Sequence, residues 1–432
     1  MSNSASRDEV ESVRKRIGVL AGALFTTASH LSKILVGFLF LKLVAVYLGV
    51  EGLGALGNLM SAVLFLSLLA GGGIQNGVIK YVAEYRHKPK QMLRFLAGAR
   101  LYSLGLCTLI LLGTIVFSGP LSHYLLGGEY AWLMVVLGVA QFGFAFTNIV
   151  NGTANGLHET RVYATIQIVG NLLTLPLAWL LIRQFGLVGA ALSIIVFYLS
   201  YSLPALYFFA RSRLRRHVRW RIAYRPQFAK LSGFTLMAAV GAVSVPLVEI
   251  VVRNLLLENT GLQAAGLWQA SLKLSSAYMG FFVVFLAAYF IPIVSGLQDR
   301  LKVAAVVRKF MVLAICLFGV GAIGFYGLRS FFIPLLLSAD FAELGDFIQY
   351  QLLGDLFRVT SYVIGFVVVA KAATRIYVLG EISQGVLFCL FSTLALKQGW
   401  GLQGVFIAHL AMNIIYFACS VIGFYIYTKR VV

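Results

Sequence analysis

Among the ionisable side chains inside long apolar stretches of this 432-residue chain, the candidates for chemistry are Lys33, Lys42, Lys80, Glu84, Glu249, Arg253, Lys273, Asp355, Arg358 and Glu381. A charge at membrane depth is costly, so each marks a functional site by default. Helical spacing sorts them. Lys80 with Glu84 and Glu249 with Arg253 are four apart, and Asp355 with Arg358 three apart, so each acid can neutralise its own neighbour. Such pairs serve structure as readily as function. Lys33, Lys42 and Lys273 have no acid within a helical turn, and an unpartnered ammonium in low dielectric recruits an anion. Together with Arg253 they are the candidate ligands for an anionic substrate group. Snorkelling to the outer interface is the competing reading for Lys42 and Lys273, and a poor one for Lys33, nearest mid-membrane on the first helix.

Polar neutral residues at the same depth add hydrogen-bonding capacity suited to sugar hydroxyls, and Gln75, Asn76, Asn151 and Gln269 are the candidates for a polar cavity. His30, three residues before Lys33, and His409 sit within apolar segments. A histidine there is more often a packing residue, yet it titrates near physiological pH. Glu249, Asp355, Glu381 and His30 are the candidate carriers of a coupling ion. No phosphate-binding glycine loop occurs, so the chain does not consume ATP and any energy comes from an H+ or Na+ gradient. Cys107, Cys316, Cys389 and Cys419 are isolated, without metal or redox spacing. No metal and no other cofactor is expected.

The elements that position these groups are membrane helices. Hydrophobic residues make up 60% of the chain and charged ones only 12%, and the mean hydropathy is +0.89. Soluble globules carry roughly 25% charged residues. Apolar stretches long enough to cross a hydrocarbon core lie near 17–47, 57–85, 95–117, 130–153, 162–182, 186–210, 229–257, 264–297, 303–328, 345–371, 376–396 and 402–428. The fold class is thus all-α integral membrane, with about twelve spans. The ten-residue alternation of a membrane barrel is missing. The first stretch is too long for a cleavable signal.

Lys and Arg collect in every second gap. Arg7, Arg14, Lys15 and Arg16 stand in the N-terminal tail, a dense run from Arg211 to Arg225 at the midpoint, and Lys429 and Arg430 at the end. Short basic loops stay cytoplasmic, which puts both termini inside. The net charge of +20 is therefore a topology signal and does not indicate nucleic-acid binding. Basic residues at these loops hold anionic headgroups, each worth about 1 kcal/mol near the surface.

The midpoint run divides an internal duplication. Phe25-Thr26 matches Phe234-Thr235, the turn 51–57 matches 260–266, and Gly186-Leu187-Val188-Gly189 matches Gly401-Leu402-Gln403-Gly404. Two like six-helix lobes follow, related by a pseudo-two-fold axis along the membrane normal with a site between them, as in transporters. The divisions are a cytoplasmic tail (1–16), an N-lobe (17–210), a basic cytoplasmic linker (211–228), a C-lobe (229–428) and a cytoplasmic C-terminus (429–432). Breakers stand inside the spans: Pro176, Pro204, Pro246, Pro292 and the triplet Gly71-Gly72-Gly73, where a bend is expected.

Several stretches resemble a known family. Lys42 to Gly49 with Gly52-Leu53-Gly54, Gly73 to Tyr85, Leu267-Trp268-Gln269 with Ala277-Tyr278, Leu352-Leu353-Gly354-Asp355 and Glu381-Ile382-Ser383-Gln384 are similar to the Wzx flippases. These belong to the multidrug/oligosaccharidyl-lipid/polysaccharide (MOP) exporter superfamily, and the resemblance is to O-antigen translocases and enterobacterial common antigen flippases. It implies a two-lobed, V-shaped, MATE-like bundle in the bacterial inner membrane. The bundle would carry an undecaprenyl-pyrophosphate-linked oligosaccharide to the periplasmic leaflet by alternating access.

Cationic side chains would then hold the pyrophosphate, and a polymerase and chain-length regulator of the same pathway would be partners. Lys33, Lys42, Arg253, Asp355 and Glu381 match charged positions of the family. Ser276 departs from it, standing where relatives often have an acid. Three alternatives are weighed. A multidrug or cation antiporter of the same superfamily would want acids, not unpaired lysines. A peptidoglycan-precursor flippase would have two more helices. A membrane-embedded glycan polymerase would need large outer loops bearing catalytic groups. The chain reads as a transporter, not an enzyme.

Overall fold

The computed structural model describes the backbone of residues 2–212, 226–371 and 373–429, and their side chains except at 2–24, 26, 27, 30, 72, 226–230, 233–243, 288 and 374. The side chain of His30, those of the N-terminal tail, most of the midpoint basic run, the Phe234-Thr235 repeat match and Arg430 lie outside the described residues. All described regular structure is helical, as a chain in lipid requires, because every backbone donor and acceptor must be satisfied within its own segment.

The helices are α1 (Ser2–Ser67), α2 (Gly73–Glu84), α3 (Pro89–Val116), α4 (Ser118–Leu126), α5 (Ala131–Gly156), α6 (Thr160–Leu199), α7 (Ser202–Arg211) and α8 (Pro226–Thr260). There follow α9 (Leu262–Phe285), α10 (Ile291–Gly296), α11 (Arg300–Gly327), α12 (Arg329–Leu336), α13 (Leu344–Ala370), α14 (Thr374–Lys397) and α15 (Gly401–Lys429). Among the described residues, 8 helical runs are long and apolar enough to cross a membrane, two of them 54 and 52 residues long. Those two are broken at Gly49 and Gly186. Counting their arms separately and adding α8 and the α9–α10 run gives the twelve spans expected.

The breaks fall where the duplication places them. Gly49 (φ 65°) and Gly261 (φ 88°) follow the first helix of each half, and Gly186 (φ 53°) and Gly401 (φ 54°) precede the sixth. A side chain would strain all four in this left-handed region. At Gly186 the chain doubles back, for Ser200 Oγ donates to Gly170 O at 2.9 Å and Tyr201 OH to Asn171 Oδ1 at 2.5 Å. At the glycine triplet, where a bend is expected, the helix takes a π-helical turn over Leu68–Gly72. A second π turn, Leu286–Phe290, interrupts the eighth span, ahead of Pro292.

The chain forms two compact units: Met1–Phe40 with Ala62–Ala239, and Leu41–Ser61 with Val240–Val432. In the first, α5 packs on α2 through Gly152 and Gly156. A Cβ at either would approach Val78 or Val82 to within 3 Å, the close approach that small residues four apart permit. In the second, Gly54 and Gly266 bring two backbones together, a Cβ on Gly266 falling 2.0 Å from Val50 O. Large apolar side chains such as Val320 (74% exposed) and Ile323 (75% exposed) cover outer faces, as expected where lipid is the solvent.

Candidate functional site

Each unit carries its own polar centre. In the first unit, Lys33 sits on α1. Leu31, Leu35 and Leu39 form the exposed apolar stripe of that helix, whereas Ser29, Val36 and Phe40 are buried. At about 100° per residue, Lys33 falls on the packed face with the second set. Its side chain is nevertheless exposed, and it makes no hydrogen bond or ion pair among the described residues. Neighbouring polar groups are tied to one another. Asn171 Nδ2 donates to Ser32 Oγ at 2.8 Å, and Ser32 Oγ donates to Ser29 O at 2.9 Å.

In the second unit, two buried networks hold the acids. Asp355 on α13 is fully enclosed. Its Oδ2 accepts from Ser275 Oγ at 2.7 Å, Tyr278 OH at 2.5 Å and Gln351 Nε2 at 2.9 Å. Its Oδ1 lies 3.2 Å from His409 Nε2 and 4.0 Å from Arg358. Asn413 Nδ2 lies 3.2 Å from the same His409 nitrogen. A buried carboxylate needs this many donors, because each unsatisfied lone pair would carry its full desolvation penalty. Glu381, on α14, is half-buried and in electrostatic range of Arg358 and Tyr377.

The other network centres on Arg253. Its guanidinium bonds Asn58 Oδ1 at 2.8 Å and Gln269 Oε1 at 2.5 Å, and lies over the Trp268 ring with 5.4 Å to the centroid. Glu249, 4.0 Å away, accepts from Ser61 Oγ at 2.7 Å. The helical acid–base pairs Glu249–Arg253 and Asp355–Arg358 read from spacing are thus present.

The four cations read from the sequence as anion ligands differ in their surroundings. Lys33 is exposed, and Lys273 is half-buried, in electrostatic range of Glu249 and Arg253. Lys42 donates to the backbone carbonyl of Leu335, at the C-terminal turn of α12. There an ammonium satisfies an orphan carbonyl and faces the negative end of the helix dipole. Arg253 has no exposure at all, so no phosphate reaches it in this conformation.

Of the polar-cavity candidates, Asn76 is exposed and Gln75 half-buried, whereas Asn151 is buried and Gln269 is engaged by Arg253. Sequence reasoning passed over Asn58, Ser61, Ser275 and Trp268. The i,i+4 pairs Gln351–Asp355 and His409–Asn413 were a usable signal for the Asp355 network.

Comparison with known proteins places this arrangement. The family model described as "Polysaccharide biosynthesis protein" matches residues 19–298. The lipid III flippase of Escherichia coli (strain K12) is 32% identical over 414 residues, covering 94% of this chain and 98% of that protein, as is the lipid III flippase of Shigella flexneri. The chain belongs to the polysaccharide biosynthesis protein family. Among solved structures, a multidrug resistance MATE family transporter of the MOP superfamily in its inward-facing conformation aligns with a TM-score of 0.75. Identity to it is 16%, over 93% of this chain and 96% of that one. The lipid II flippase MurJ in an inward closed conformation aligns with a TM-score of 0.69 at 13% identity, over 94% of this chain and 87% of that one. This family member therefore has the fold of the MOP transporters and is a multi-span membrane protein.

Proposed function

We propose that this family member is a flippase that carries an undecaprenyl-pyrophosphate-linked oligosaccharide from the cytoplasmic to the periplasmic leaflet of the bacterial inner membrane. The observation that carries the reading is Lys33, a lysine on the packed face of a membrane helix, without an acidic partner among the described residues. The likeness to two lipid III flippases over nearly the whole chain supports it. A diphosphate cannot enter hydrocarbon bare, since an isolated ion costs tens of kcal/mol there by Born estimates. Lys33 supplies counter-charge in the first unit and Lys273 in the second, and Asn76 and Gln75 meet glycan hydroxyls.

Transport runs by alternating access, with both termini cytoplasmic. An H+ or Na+ gradient acts on the Asp355 network, where one carboxylate gathers donors from three helices. Anionic lipids hold the basic loops, and the product passes to a polymerase and chain-length regulator.

The test is translocation of a polyprenyl-diphosphate oligosaccharide in proteoliposomes by wild type, Lys33→Arg and Lys33→Gln. Losing one charge-assisted contact of about 2 kcal/mol raises the apparent KM of Lys33→Gln about 30-fold, while Lys33→Arg keeps most activity. Equal KM in all three would reject the reading.

A further inference from the structure

Arg253 stands apart from the other cations because every side of it is occupied. Its fork joins two amide oxygens on different segments, Asn58 Oδ1 and Gln269 Oε1. Each amide is oriented by a second bond. Asn58 Nδ2 donates to Asn254 Oδ1 at 2.7 Å, and Gln269 Nε2 reaches Met60 Sδ at 3.4 Å. Trp268 covers one face. The remaining side is closed by Gly57, where a Cβ would fall 2.3 Å from Arg253 Nε. That nitrogen has no hydrogen-bond partner among the described residues, and the Gly57 backbone lies against it.

The segment held in this way is Leu41–Ser61, which precedes the rest of the first unit's second span in sequence yet packs as part of the second unit. Lys273 follows Gln269 by four residues on α9, on the same helical face. Glu249 precedes Arg253 by four on α8 and is pinned by Ser61. A lock between Asn58 and Gln269 therefore fixes the setting of Lys273. Lysine could not replace the arginine, because a compact ammonium lacks the planar fork that spans two oxygens above an aromatic ring.

We infer that Arg253 is a positioning residue of the flippase: it clamps Leu41–Ser61 to α8 and α9, acts on the substrate through Lys273, and requires glycine at position 57. The inference rests on the proposed role of Lys273 as a headgroup ligand.

The experiment uses the full-length chain in proteoliposomes with a fluorescent polyprenyl-diphosphate oligosaccharide, and thermal unfolding in detergent as a second readout. Gly57→Ala and Arg253→Lys each lower translocation about tenfold to a hundredfold, through displacement and not loss of charge. Both lower the unfolding midpoint. The double variant is no worse than Arg253→Lys alone to within about twofold, since both open the same lock. In a Lys273→Gln background, Arg253→Lys changes translocation less than about twofold and still lowers the midpoint.

Wild-type translocation by Arg253→Lys would overturn the inference, as would an equal loss with and without Lys273. If Lys273→Gln alone leaves translocation unchanged, the headgroup reading of Lys273 fails. The lock then stands or falls on the midpoints, where additive losses for Gly57→Ala and Arg253→Lys refute it.

Discussion

Gly354 on α13 lies against His409, and replacing it by alanine tests whether the Asp355 network depends on that contact. The new methyl would fall 2.6 Å from His409 Cδ2, 3.0 Å from its Nε2 and 3.3 Å from Leu410 Cα. Ordinary contact begins near 3.4 Å, so the ring must retreat by about 1 Å, away from α13 and hence from Asp355. The present His409–Asp355 distance of 3.2 Å leaves no such margin within hydrogen-bonding reach. Phe388 also packs against the imidazole, with 5.8 Å between ring centroids, and limits its freedom to move. Overpacking costs about 1–3 kcal/mol, and a lost hydrogen bond to a charged group about 1.5–3 kcal/mol. The expected destabilisation is therefore about 4 kcal/mol, from the middle of those ranges. Equilibrium unfolding in mixed micelles measures it. His409→Ala vacates the space, so the double variant should lose about 1–3 kcal/mol less than the sum of the singles. Stability of Gly354→Ala within about 1 kcal/mol of wild type, or strict additivity with His409→Ala, would refute the reasoning.

Three further outcomes follow from the structure. Lys42→Met removes the ammonium at the end of α12 and should cost about 0.5–1 kcal/mol, exposing that short helix to limited proteolysis without changing the KM for substrate. Gly186→Ala meets nothing within 4 Å, so its loss of about 1–3 kcal/mol comes from backbone strain alone and should appear in thermal unfolding without any change in packing reported by tryptophan fluorescence. Gly152→Val and Gly156→Val should each cost about 1–3 kcal/mol by forcing α5 from α2, seen as loss of monodisperse protein on size exclusion.

Much of this was legible in the sequence, because hydropathy fixes which segments enter lipid and glycine fixes where the chain can turn. The turns at Gly186 and Gly401 and the bend at the glycine triplet are local properties of short stretches. The Glu249–Arg253 and Asp355–Arg358 pairs are likewise local, set by helical spacing. The roles of Lys42 and Arg253 were not legible for the opposite reason. Lys42 is bonded to a backbone carbonyl 293 residues away, and a carbonyl has no residue type to recognise. The convergence of Asn58 and Gln269 on Arg253 is likewise brought about only by tertiary structure. Lys33 stands out in the sequence because nothing near it answers its charge.

The π turns at Leu68–Gly72 and Leu286–Phe290 interrupt the second span of each half, the second about nine residues farther along than the repeat of 51–57 at 260–266 would place it. Such a turn is one residue inserted into a helix, and it rotates everything beyond it by about 100°. The faces that α2 and α10 present are therefore set by these insertions and differ from those that unbroken continuation of the preceding helices would give.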